Sequence, residues 1–149
     1  MEAIQDFEDM LFLLAKHTVR YLIIGGLAFI YHAKPRYTKD MDLWIDPELD
    51  NVHRANNALT EFGSPHQLDP HNATEILQIG VAPDRIDLLR DLPGHTFDEA
   101  WSKRITAFYG SAEAQWIDID SLISIKSLID DPRHQDDVRI LKEIKKHFS

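Results

Sequence analysis

The residues best suited to chemistry are Asp40 and Asp42, which run directly into Leu43, Trp44 and Ile45 in the stretch TKDMDLWID. The apolar run predicts a strand over residues 41–45. In a strand, side chains at i and i+2 share a face, roughly 6.6 Å apart along the chain at about 3.3 Å per residue. Asp40 and Asp42 therefore face one way while Met41 and Leu43 face the other. Two carboxylates so placed repel each other unless a cation lies between them, and hard oxygen donors favour Mg²⁺ or Mn²⁺ over zinc. Asp87 is the candidate third acid. It sits in RIDLL between Ile86 and Leu88 and projects from the face opposite those core residues. Burying it in an apolar strand is costly without a partner, which a neighbouring strand bearing Asp40 and Asp42 supplies through shared metal. Two ions about 3.5 to 4 Å apart can activate a hydroxyl and stabilise the leaving oxygen of an in-line phosphoryl or nucleotidyl displacement. Phosphates also need a cradle, and Gly25-Gly26 at a strand-to-helix turn offers backbone N–H groups and a helix N-terminus.

Plainer roles stay open for the same residues. The glycines could form an ordinary turn, Asp40 could be a cap at a solvated strand end, and Asp87 could pair with Arg85 or Arg90. Arg36 could hold phosphate or an acidic strand neighbour, Lys126 lies on a helix face open to solvent or substrate, and Thr38 reads as structural.

The elements that must position these residues follow from periodicity. Ile4, Phe7, Leu11 and Leu14 recur at helical spacing and predict a helix over 3–16. Residues 21–24 predict a buried strand ending at the glycines, and residues 27–32 a short helix stopped before Lys34-Pro35. Val52, Ala55, Leu59 and Phe62 predict a helix ending at Gly63. A loop over 64–72 leads to a predicted hairpin of 76–81 with 85–89. Thr96 and Glu99 have the spacing of a capping box before a short helix through Trp101. A second hairpin is expected between 105–109 and 115–119, then helices around 122–129 and through Val138, Leu141, Ile144 and Phe148. The order implies an α/β (α+β) single domain over 1–149, a mixed sheet covered by helices, with a core at about 17–92 and a C-terminal hairpin and helices at about 96–149.

Composition narrows the chemistry further. With 149 residues and 44% hydrophobic content, one domain can bury a sizeable core without crosslinks. The absence of cysteine excludes disulfides and thiolate metal sites, and fits a cytoplasmic protein. The acidic amino-terminal stretch is unlike a secretory signal, and no apolar run approaches a membrane span. The net charge of −9 repels polyanions, so any nucleic-acid contact must be local. Basic residues cluster around Lys34, Arg36 and Lys39, and at Lys142, Lys145 and Lys146, the latter reading as a solvated helix end. None of the eight histidines forms an i, i+4 pair, and His66 and His71 fall in a proline-bearing loop, so surface histidines are expected rather than zinc. Without G-x-G-x-x-G, G-x-x-x-x-G-K-[ST] or G-x-S-x-G, the dinucleotide-binding, P-loop and serine-hydrolase readings fall away.

The Gly-Gly turn, RYTKDMDLWID and the later IDLL together resemble the nucleotidyltransferase fold of the DNA polymerase β superfamily. Arg36-x-Thr38-x-Asp40-x-Asp42 is most similar to small bacterial proteins related to the abortive-infection (AbiEii-type) nucleotidyltransferase toxins, and SLISIKSLIDDPRHQDDVRIL resembles that group's carboxy-terminal segment, with the R-x-x-D-D of Arg133 to Asp137 in a loop before the last helix. The resemblance implies that Gly25 and Gly26 hold the triphosphate of an NTP such as ATP, that Asp40, Asp42 and Asp87 bind catalytic Mg²⁺ or Mn²⁺, and that Lys126 lies near the nucleotide; Arg36 is a further nucleotide-binding candidate on its charge alone. It departs where Gly26 and Lys39 replace serines of many members and where the larger toxins extend further. The implied reaction moves a nucleoside monophosphate to a hydroxyl of a protein, a small molecule or an RNA end, the last disfavoured by charge, within a toxin–antitoxin or phage-defence setting. The rival readings are a non-catalytic module of the same fold, acting as an antitoxin by contact, and a metal-dependent phosphohydrolase.

Overall fold

The structure, a computed structural model, describes residues 3–38 and 40–148; Lys39 of the basic cluster lies outside the described residues. Helix α1 (Gln5–Lys16) buries Phe7, Met10, Leu11 and Leu14 on one stripe, as their spacing requires. Strand β1 (Tyr21–Ile24) is buried along its whole length and passes directly into α2 (Gly25–His32). The helix thus starts at the glycines and not two residues later. Strand β2 (Asp40–Ile45) leads to α3 (Leu49–Phe62), closed by Gly63 in the left-handed region at φ +96°. The predicted first hairpin is present as β3 (Leu77–Ile79) and β4 (Arg85–Leu89). Helix α4 (Phe97–Ser102) follows Thr96, but the expected capping box is absent, because the Thr96 side chain makes no capping bond.

The second hairpin differs from expectation. It consists of β5 (Ile105–Tyr109) and β6 (Ala112–Trp116), so its return strand begins three positions earlier than the sequence suggests. Ala112 and Ala114 are weak strand formers, yet both are buried on the sheet's inner face, where tertiary packing overrides propensity. Residue 119 instead opens α5 (Ile119–Ser127), capped by Asp118 accepting from the Ser121 N–H. The segment expected as a loop is the first turn of α6 (Pro132–Phe148). Asp131 accepts from the Arg133 N–H at 2.8 Å ahead of a proline at the first helical position, a strong helix start.

All six strands form one mixed sheet in the order β3-β4-β2-β1-β6-β5. β1 runs antiparallel to β2 and parallel to β6, while β2 runs parallel to β4. Helices α1 and α3 cover one face, against Tyr21, Ile23, Met41, Leu43, Ile45, Ile86 and Leu88. Helices α2, α4, α5 and α6 contribute Phe29, Phe97, Leu122, Ile125 and Leu141 to the other, against Leu22, Ile24 and Trp44. Each fully buried aliphatic side chain contributes about 1.5–3 kcal/mol of transfer free energy. Among the described residues, no helix is long and apolar enough to cross a membrane.

Candidate active site

Register builds the site. Asp42 pairs with Asp87 across the parallel β2–β4 ladder and with Ile24 across the antiparallel β1–β2 ladder. Met41, Leu43, Ile86 and Leu88 all go into the α1/α3 face, so strand alternation turns Asp40, Asp42 and Asp87 to the opposite face together. One carboxylate oxygen from each lies within 4.8 Å of the others. The sequence expectation that acids distant in the chain share a face and a locus therefore agrees with the geometry.

The glycine turn is part of the same locus. Gly25 has φ +65°, and a Cβ there would stand 2.1 Å from Asp42 Oδ2, so only glycine lets the carboxylate approach the backbone this closely. A Cβ on Gly26 would stand 2.7 Å from Thr38 Oγ1, whose hydroxyl donates to the Asp40 carbonyl at 3.3 Å. No side chain caps the N-terminus of α2, which begins at this turn. Its first backbone N–H groups have no intrahelical acceptor and form an electropositive end beside the acids.

The electrostatics of the triad are tense. Burial, reinforced by the charges of Asp40 and Asp87, pushes the Asp42 carboxyl up to about 7. Burial also raises Asp87, only 7% exposed, against the lowering influence of Arg85 and with Asp40 pushing the same way. Arg85 reaches Asp40 Oδ2 through Nη2 at 2.5 Å and brings Nε to 3.2 Å from Asp87 Oδ1. The Arg85–Asp87 contact is the plain alternative that the sequence allows; the ladder opposing Asp40 to Arg85 adds the second contact, which strand order alone reveals. Arg90 goes elsewhere, to the Asn72 carbonyl and Glu75.

Arg36 and Lys126 come together on a different acid. Asp137 of α6 receives both guanidinium Nη atoms of Arg36 at 2.7 and 3.0 Å and Lys126 Nζ at 3.0 Å. The Arg36 guanidinium also lies 4.0 Å from the centroid of the Phe29 ring. Lys126 is 2% exposed, not solvated, and its partner Asp137 is held below the usual carboxylate range by Arg36 and Lys126 despite burial. Asp137 is the residue sequence reasoning undervalued; the signal was available in the helix start at Asp131-Pro132, which puts Asp137 on a helix face.

Three carboxylates with only oxygen donors suit a hard divalent cation, and Asp87 Oδ1 is buried with no hydrogen-bond partner of its own, as a waiting ligand atom is. No protein-family model and no curated protein matches this chain. Solved structures do, among them the following two. The lincosamide antibiotic adenylyltransferase LnuA with lincomycin bound aligns with TM-score 0.61 over 96% of this chain and 99% of its own at 14% identity. ANT(2")-Ia in complex with adenylyl-2"-tobramycin aligns with TM-score 0.58 over 94% and 91% at 12% identity. With the sheet order, the glycine turn and the paired strands already described, this likeness shows that the chain has the nucleotidyltransferase fold.

Proposed function

We propose that the protein is a nucleotidyltransferase that moves a nucleoside monophosphate from an NTP to a hydroxyl acceptor and releases pyrophosphate. The observation that carries this reading is the convergence of Asp40, Asp42 and Asp87 within 4.8 Å beside the open N-terminus of α2. Mg²⁺ or Mn²⁺ held by Asp40, Asp42 and Asp87 would neutralise the triphosphate and the charge developing on the leaving oxygen. Backbone N–H groups at Gly25 and Gly26 donate to the β- and γ-phosphate oxygens, and the missing side chains allow that approach. As the acceptor oxygen bonds to the α-phosphorus, the bond to the bridging oxygen breaks and pyrophosphate leaves. Asp87 takes the hydroxyl proton, a role suited to a buried carboxylate whose proton affinity is raised. Arg36 and Lys126 share the single charge of Asp137, so that cluster keeps one net positive charge to offer an anionic nucleotide.

A hydroxyl of a small molecule or a protein is the proposed acceptor, since a chain of net charge −9 has no long-range attraction for RNA. The structures sharing the fold hold lincomycin and adenylylated tobramycin, which favours the small-molecule class. A protein acceptor would suit the toxin–antitoxin setting that the likeness to abortive-infection proteins suggests. Incubation with α-labelled NTPs, Mg²⁺ and, in separate arms, hydroxyl-rich antibiotics, cell extract and bulk tRNA tests this. Label on a small molecule or protein, with release of pyrophosphate and loss in Asp42→Ala, is expected; label on tRNA, or free phosphate without pyrophosphate, rejects it.

One observation favours a binding module as second reading: Arg36, Lys126 and Arg85 are all engaged internally. Calorimetry with ATP and Mg²⁺ on wild type and Asp42→Ala separates the two, because the module predicts no metal-dependent nucleotide binding in the wild type.

A further inference from the structure

We propose that Arg85 is an intramolecular competitor of the divalent ion: its guanidinium closes the acid triad in the free protein and leaves when the ion enters. The inference rests on the metal-binding reading of Asp40, Asp42 and Asp87 and adds a residue to it. Arg85 touches two of the three acids, Asp40 at 2.5 Å and Asp87 at 3.2 Å, and so spans the Asp40–Asp87 edge of the triangle. Each contact engages a carboxylate, that of Asp40 or of Asp87, on which an ion shared by the three acids would also draw. A guanidinium is planar and donates along fixed directions, whereas an ion accepts oxygens from any side.

The fit of the guanidinium is incomplete. Arg85 Nε and Asp87 Oδ1 face each other at ion-pair distance, yet both are buried without a hydrogen bond, because the approach is misaligned. Asp87 is more than nine-tenths buried, so its free oxygen cannot turn to water for compensation. The arrangement quiets the repulsion among three acids without saturating them. The Arg85 side chain is 33% exposed and sits at the first residue of β4, so it has a path out to solvent that the acids lack. Metal loading is then an exchange of one cation for another, and Arg85 sets the threshold concentration at which it happens.

Titration with Mn²⁺ alone, followed by calorimetry on the whole chain, tests this. Arg85→Gln is expected to bind Mn²⁺ about tenfold tighter than wild type, since a contacting positive charge is gone, while Arg85→Lys, which keeps the charge, stays near wild type. In the metal-free state Arg85→Gln melts below wild type and regains the difference with Mn²⁺. A second measurement avoids any variant: the side-chain Nε resonance of Arg85 in isotope-labelled wild type should move to a solvent-exposed position as Mg²⁺ is added. Equal or weaker Mn²⁺ binding by Arg85→Gln, or an Arg85 resonance unmoved by saturating Mg²⁺, overturns the proposal while the metal site stands. If neither wild type nor Arg85→Gln binds Mn²⁺, the metal-binding reading and this inference fall together.

Discussion

Asp42 is the residue at which the demands of fold and site collide. It lies between Asp87 and the Gly25 backbone, and burial with two like charges nearby raises its carboxyl to about 7. A folded-state value above the usual 3.8 means that the folded chain binds the proton more tightly. The resulting stabilisation is fully present below about pH 4 and is lost as pH rises through 7, by a few kcal/mol at about 1.4 per unit. Metal-free protein should therefore melt progressively lower between pH 5 and 8, and added Mg²⁺ should restore stability more strongly the higher the pH. Asp42→Asn should flatten the metal-free profile and abolish the Mg²⁺ response. Melts across pH with and without Mg²⁺ decide; a metal-free melting temperature that climbs steadily from pH 5 to 8 rules this account out. Gly25→Ala is the matching backbone test. It places a methyl group against Asp42 Oδ2 at a left-handed position, so a loss of more than about 2 kcal/mol and a weakened Mg²⁺ response are expected. The glycine pair was legible as a strand-to-helix turn, but its closeness to Asp42 was not, because that contact depends on how β1 and β2 pair.

At the scale of elements, strand alternation explains why so much of the site could be read from sequence. The apolar residues either side of Asp42 and Asp87 fix which way each carboxylate points, whatever the partner strand turns out to be. What alternation cannot supply is strand order, and so the Asp40–Arg85 contact stayed hidden. Helix α6 teaches the complementary lesson. Its charged first turn reads as loop, yet it delivers Asp137 into a buried position where Lys126 and Arg36 converge from α5 and from the segment leading to β2. Removing one partner from a buried ion cluster leaves uncompensated charge and costs about 3–5 kcal/mol. Asp137→Ala should lose stability on that scale in chemical denaturation. Adding Lys126→Met should recover much of the loss, since the buried cation goes with its acid. If Asp137→Ala unfolds at the wild-type denaturant concentration, the cluster is not what fastens α6 to the site.

For the molecule as a whole, the question is whether the acid-bearing strands form a core that stands without the C-terminal third. The sequence suggests a boundary, with strands and helices of about 17–92 carrying Gly25, Asp40, Asp42 and Asp87, and a hairpin with helices following. The sheet argues against independence. β6 is laid beside β1 in parallel, with Ile23 opposite Trp116 and the Ile117 N–H donating to the Ile23 carbonyl at 3.1 Å, so β1 is an interior strand only because residues from 112 onward supply its other neighbour. That pairing joins segments far apart in the chain, and no local pattern announces it. The face that carries the acids is covered in part by Phe97, Ala100, Ile117, Leu122, Ile125 and Leu141, all from the same C-terminal third. A chain cut after residue 95 would expose Leu22, Ile24, Phe29 and Trp44 to water and leave an apolar strand edge unpaired. Such a chain is expected to lack a cooperative thermal transition and to aggregate, and adding residues 96–149 as a separate piece should restore both folding and Mg²⁺-dependent stabilisation. A cooperative melt of the isolated piece, with dispersed amide resonances, would show instead that β1 tolerates an open edge and that the acids can be positioned without β6. The acid triad, the glycine turn and the C-terminal elements would then be separable, and α5 and α6 would serve only to bring Lys126 and Asp137 alongside.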